Sequence, residues 1–314
     1  MFIASTKKSY SRILEQESLN LAGSGPSSSY GVAFEIPLLL NCSLLIYTTC
    51  HLVIMRDKSI TNFRTRIFCM ILLALLARCS YEAKLTYDYH INGSGYMSDA
   101  NEGSIFYLLD NLPILLLISI ICIFTSSWHR LYLGFKSPGT AQKQYLKSRL
   151  ILPILNILLY SIVIALAVML NDWRSVGFDI ASRGILIASL LGTAMLVALL
   201  GRKLEDQAIK FSELTQFIDW QSSKFKLVRV ILVSCCLIKI IQLSIALFSE
   251  AKGYSSLSAM IDSTQNISSA LGYFVNVVYT ILGYVGESGS FLCLICLLNT
   301  FHKSAQAPMS VNSE

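Results

Sequence analysis

The sequence predicts an all-α integral membrane protein: a seven-transmembrane-helix bundle, N-terminus outside or luminal, C-terminus cytosolic. Three observations carry this. Of 314 residues, 54% are hydrophobic and only 14% charged, against about 25% charged in ordinary soluble domains. Seven apolar runs approach the length of about 20 residues that spans roughly 30 Å of hydrocarbon as a helix. Basic residues collect in alternate loops between those runs. The mean hydropathy of +0.58 agrees.

Residues 1–33 form a polar, Ser-rich N-terminal segment. It contains Lys7, Lys8 and Arg12 but no apolar signal core, and Glu15 and Glu17 argue against a transit peptide. The transmembrane domain is placed at 34–303, with runs at 34–55, 67–87, 105–128, 150–170, 183–200, 227–248 and 273–301. Residues 304–314 make a short tail. The runs are continuous rather than alternating, so they are helices and not barrel strands. The fifth run is the shortest and carries small residues at four-residue spacing (Gly184, Ala188, Gly192), a face for close helix contact. After it, Leu204, Ala208, Phe211, Leu214 and Ile218 recur at helical spacing over 204–220. That pattern is an amphipathic helix, either packing in the cytosol or binding a partner. The seventh run holds Gly283, Gly286 and Gly289 around Glu287, read as close packing, a bend or room for a ligand.

Orientation follows from charge. Arg56, Lys58, Arg64 and Arg66 follow the first run. Arg130, Lys136, Lys143, Lys147 and Arg149 follow the third, and Arg202, Lys203, Lys210, Lys224, Lys226 and Arg229 the fifth. The positive-inside rule puts these loops in the cytosol. The sequons at Asn92 and Asn266 fall in the opposite loops, where glycosylation occurs. All nine cysteines lie in apolar runs, so no structural disulfide is expected. Cys293-x-x-Cys296 reads as packing.

Charges inside a membrane helix are costly and mark candidate sites. At 1.5 Å per residue, Arg78 and Lys239 lie about 18 Å from the cytosolic edge and Glu287 about 21 Å. Glu82, at i+4, is placed to pair with Arg78. Glu35 and Asp110 lie nearer the outer helix ends. Arg78, Glu82, Lys239 and Glu287 balance in charge, and form either an ion-pair network that sets helix packing or a ligand pocket or proton path. Asn41, Asn156, Gln242 and Asn276 extend either arrangement. No nucleophile elbow, HExxH, phosphate loop or paired aspartates occurs, and His51, His90, His129 and His302 make no ligand cluster. An enzyme, a cofactor and a metal are therefore not expected. Basic residues spread over loops do not make a nucleic-acid face.

The seven-helix layout is that of G-protein-coupled receptors. Their rhodopsin-like marks are missing: the third run ends Ser126-Ser127-Trp128-His129-Arg130, and the seventh lacks Asn-Pro-x-x-Tyr. Other residues match a different pattern: Asp110-Asn111-Leu112-Pro113 opening the third helix, Trp128 and Tyr132 at its end, Arg78, Asn156 with Tyr160, Gly201-Arg202, Lys239 and Glu287. In this order the chain, over 34–301, resembles the tobamovirus multiplication protein family, seven-helix proteins distantly receptor-like. It departs by one extra residue at Asn111, by Lys239 where the family usually has Arg, and by Ser288 where a Pro follows the glutamate. The resemblance implies an endomembrane protein, vacuolar or lysosomal, without enzymatic activity. Plant members anchor a viral replication protein at the membrane, and animal relatives look like lysosomal regulators of growth signalling.

Two classes of function remain. One is a non-enzymatic scaffold or receptor-like protein whose loops 56–66, 129–149 and 201–229 recruit cytosolic or membrane proteins. The other is a transporter or proton-coupled carrier using the midplane charges, though no internal repeat supports it. An accessory subunit of a larger membrane complex is a third possibility.

Overall fold

A computed structural model describes residues 28–54, 63–92, 104–136, 145, 150–172, 176–212, 219–251 and 269–306. Among them are seven helices: α1 Ser28–Ile54, α2 Phe63–Asn92, α3 Ser104–Lys136, α4 Ile151–Asp172, α5 Val176–Ser212, α6 Asp219–Ala251 and α7 Ser269–Gln306. Each expected run falls on one helix, apart from Met55, which lies outside the described residues, and Leu150, which forms a turn just ahead of α4. Most helices extend past their runs, because the helix continues after the apolar stretch ends. Thus 28–33, assigned to the polar N-terminal segment, are helical, as are Ser304–Gln306 of the tail. The amphipathic stretch 204–220 continues α5 as far as Ser212 and meets α6 at Asp219, with 213–218 outside the described residues.

Five helices, α1, α3, α4, α5 and α6, are long and apolar enough to cross a membrane. In α2, charges interrupt the apolar run, and in α7 the described part of the apolar run is Ile281–Cys296. The outward surface is apolar where these helices face away from the bundle: Leu39 and Ile46 on α1, Ile154, Ile157 and Val168 on α4. Continuous apolar exposure of this kind is foreign to a water-soluble monomer and is consistent with a multi-pass membrane protein. The hydroxyls on that surface agree. Ser43, Thr49, Ser80, Ser161 and Ser244 all donate to the carbonyl one turn back, at 2.8–2.9 Å. Such back-bonding satisfies a hydroxyl where no water is at hand.

Helix α3 is central and the most buried of the apolar spans. It packs on α2, α4, α5 and α7, while α6 lies between α5 and α7, and α1 rests on α2 and α7. Two apolar clusters fill the interior. The larger joins α2, α3, α5, α6 and α7 through Phe68, Ile120, Val197, Leu232 and Phe291. The smaller joins α3 and α4 to α5 and α6 through Leu115, Val163, Leu190 and Leu243. Pro37 and Pro113 lie inside α1 and α3. Membrane helices tolerate proline where neighbouring groups satisfy the freed carbonyl. No disulfide forms among the described residues. Cys293 is buried and Cys296 exposed.

Candidate functional site

The site begins with the way α7 lies on α6. Gly283, Gly286 and Gly289 recur every three residues and form a groove along α7. Into it fit, in antiparallel order, Gln242, Lys239 and Cys235 of α6. A Cβ on Gly286 would stand 2.8 Å from the Lys239 backbone nitrogen and 3.0 Å from its Cβ. Of the three readings of these glycines, close packing is the one realised. It brings the α6 and α7 backbones together at the level of Lys239, and Glu287 is the next residue along α7.

Around that contact the charges converge. Arg78 of α2 donates to Glu287 twice, Nε to Oε1 at 2.6 Å and Nη2 to Oε2 at 2.5 Å. Two parallel bonds of this kind make the strongest guanidinium–carboxylate geometry. Lys239 Nζ lies 3.0 Å from the same Oε2. Arg78 also reaches α3, with Nη1 2.9 Å from Asp110 Oδ1 and Nη2 3.2 Å from the Asp110 main-chain carbonyl. Arg78 and Glu287 side chains are 8% and 3% exposed, whereas Asp110 is 39% exposed. Asp110 is thus the accessible rim of a buried hub that ties α2, α3, α6 and α7. Sequence reasoning set Asp110 apart at the outer end of its helix. The missed signal is that an arginine carries enough donors for two acids.

Glu82 is a correction. The i+4 spacing predicts a pair with Arg78, but the Arg78 guanidinium is turned to Glu287 and Asp110. Glu82 turns to α1 instead, where Asn41 Nδ2 lies 2.8 and 3.0 Å from its two oxygens. Ser288 of α7 donates to Asn41 Oδ1 at 2.6 Å. Glu82 is 1% exposed and forms no ion pair among the described residues. So the expected network is two adjoining networks: an ionic one across α2, α3, α6 and α7, and a hydrogen-bonded one across α1, α2 and α7.

Among the amides, Asn41 therefore extends the arrangement as expected. Gln242 is not seen to do so: its buried Oε1 has no hydrogen-bond partner among the described residues. Asn156 is half-buried on α4, which packs on α3 and α5. The Asn276 side chain lies outside the described residues, as do the Asn92 side chain and the Asn266 sequon. Pro113 and Trp128 are buried in α3, Trp128 edge-on to Phe124 with centroids 6.4 Å apart. Tyr132 packs on the larger core cluster, with Lys136 over its ring. Tyr160 shares a 3.1 Å hydrogen bond with Ser119, linking α4 to α3, and Tyr107 with Ser182 links α3 to α5.

A second ionic contact joins the other ends of α5 and α6. Glu205 holds Arg229 at 2.9 Å and Lys226 at 3.9 Å. Gly201 makes room for the Arg229 side chain, which a Cβ there would strike. Arg202, beside it, is exposed. Loop charge alone did not distinguish Arg229, buried against Glu205, from the exposed basic residues, Lys226 among them.

Both carboxylate oxygens of Glu287 are bound, and Arg78 donates through Nε, Nη1 and Nη2. No protein-family model and no curated protein matches the chain.

Proposed function

We propose that the chain is a non-enzymatic seven-helix membrane protein, a scaffold or receptor-like protein of the endomembrane system. Its basic loops recruit cytosolic partners. The hub carries the reading. Direct ion pairs among Arg78, Asp110, Lys239 and Glu287 offset the cost of placing charge in lipid, which lets α2 and α7 span with the other five. With seven spans, the basic loops set the N-terminus outside or luminal and the C-terminus in the cytosol. The hub residues are also among those that resemble the tobamovirus multiplication protein family, and this supports a vacuolar or lysosomal site. A carrier has to release its midplane acid during transport. Full occupancy of Glu287 favours the cohesive role instead.

The basic residues available to a partner are the exposed ones, including Arg66, Arg130, Arg202 and Lys203. Lys226 and Arg229 brace Glu205 and are left alone. Reversing those four to Glu is expected to remove a set of cytosolic neighbours in proximity labelling while the protein still reaches its membrane. An unchanged neighbour set refutes recruitment by the basic face.

A further inference from the structure

We propose that Cys42 of α1 and Cys79 of α2 are a reversible disulfide site, closed by a hydroperoxide, that clamps α1 onto the bundle. The two sulfurs face each other across the α1–α2 interface, 3.9 Å apart. A disulfide brings them to about 2.05 Å, so roughly 2 Å of approach separates contact from a bond. Cys42 follows Asn41, and Cys79 follows Arg78. The bond would therefore form beside the Asn41–Glu82 hydrogen bonds, at the level of the polar networks.

Helix α1 packs on α2 and α7. Asn41 ties it to both neighbours, bonding Glu82 of α2 and Ser288 of α7. A covalent link there makes α1 inseparable from α2 without touching the ion pairs of α3, α6 and α7. Cys42 is half-buried and Cys79 buried, so an oxidant meets Cys42 first. The chemistry balances in two steps. The Cys42 sulfur attacks the peroxide oxygen of ROOH. The O–O bond breaks, ROH leaves with the thiol proton, and Cys42 becomes a sulfenic acid. The Cys79 sulfur then attacks the Cys42 sulfur. The S–O bond breaks, the S–S bond forms, and water leaves with the Cys79 proton. The two thiols lose two electrons and the hydroperoxide gains them. A dithiol reverses the link.

The test uses the full-length protein in liposomes. One arm receives hydrogen peroxide and the other a phospholipid hydroperoxide placed in the bilayer. Dosing continues until exposed Cys50 and Cys69 are oxidised, and remaining thiols are then alkylated. Mass spectrometry is expected to find the Cys42 and Cys79 peptides joined in at least one arm, separable by dithiothreitol. The arm that succeeds identifies the source of the oxidant. Cys42→Ser and, independently, Cys79→Ser are expected to lose the joined peptide. Alkylated Cys42 and Cys79 in both arms, or Cys42 joined to another cysteine, overturns the proposal.

Discussion

Removing the Glu287 carboxylate tests the hub most directly, because the partners are unequally dependent on it. In Glu287→Ala, Arg78 keeps Asp110 at 2.9 Å. Lys239 loses the carboxylate at 3.0 Å, its sole ion pair among the described residues, while 6% exposed. Stranding a buried charge costs about 3–5 kcal/mol. In Lys239→Ala the reverse holds. Glu287 retains both bonds from Arg78, so the loss is that of one hydrogen bond to a charged group, about 1.5–3 kcal/mol. Glu287→Ala is therefore expected to be the worse single change. The double variant strands no lysine, and is expected to fall short of the sum of the singles by about 0.5–3 kcal/mol. Thermal and denaturant unfolding of the purified protein in detergent measures all three. Additive effects, a Glu287→Ala protein as stable as the parent, or a Lys239→Ala protein worse than Glu287→Ala would refute the pairing. A carrier predicts a different result: a stable Glu287→Gln variant that has lost flux in proteoliposomes.

Three further outcomes follow from the geometry. Gly286→Ala places a methyl 2.8 Å from the Lys239 backbone nitrogen, which cannot yield, and is expected to cost about 1–3 kcal/mol in unfolding experiments. Gly192→Ala meets nothing within 4 Å, and is expected to be neutral or to gain up to about 1 kcal/mol. Glu82→Gln keeps a side chain able to bond Asn41 and breaks no ion pair, so it is expected to destabilise less than Glu287→Gln; equal losses would restore the Arg78–Glu82 pair. A tag at Glu314 is expected to stay protected from external protease in sealed cells, and glycosidase to shift the protein's mobility through Asn92 or Asn266. Exposure of the tag would invert every loop assignment.

Much of the hub was legible beforehand. Arg78, Lys239 and Glu287 stand out as ionisable groups in apolar runs, and a count of residues along each helix puts them at one depth. Asn41 is legible as a polar side chain within an apolar run. The Glu82 partner was not, because i+4 spacing states which residues share a helix face and says nothing of a neighbouring helix that competes for them. Asp110 was placed correctly near the outer end of its helix, but its pairing with Arg78 was missed because Arg78's reach was left out. The Glu205 contacts with Lys226 and Arg229 were hidden within a count of basic loop residues.

By itself, the sequence determined that this chain is helical, where each helix lies and which charges are candidates. These are properties of one helix at a time. A lipid solvent leaves the backbone little choice but internal hydrogen bonds, and a charge among apolar residues is conspicuous. Only the tertiary structure decided which charge meets which. That depends on each helix's rotation about its axis and its distance from its neighbours, and both are set by packing. The glycine groove of α7 carries the point: three residues with no side chain draw α6 close enough for Lys239 to reach Glu287. No periodicity within either helix contains that distance.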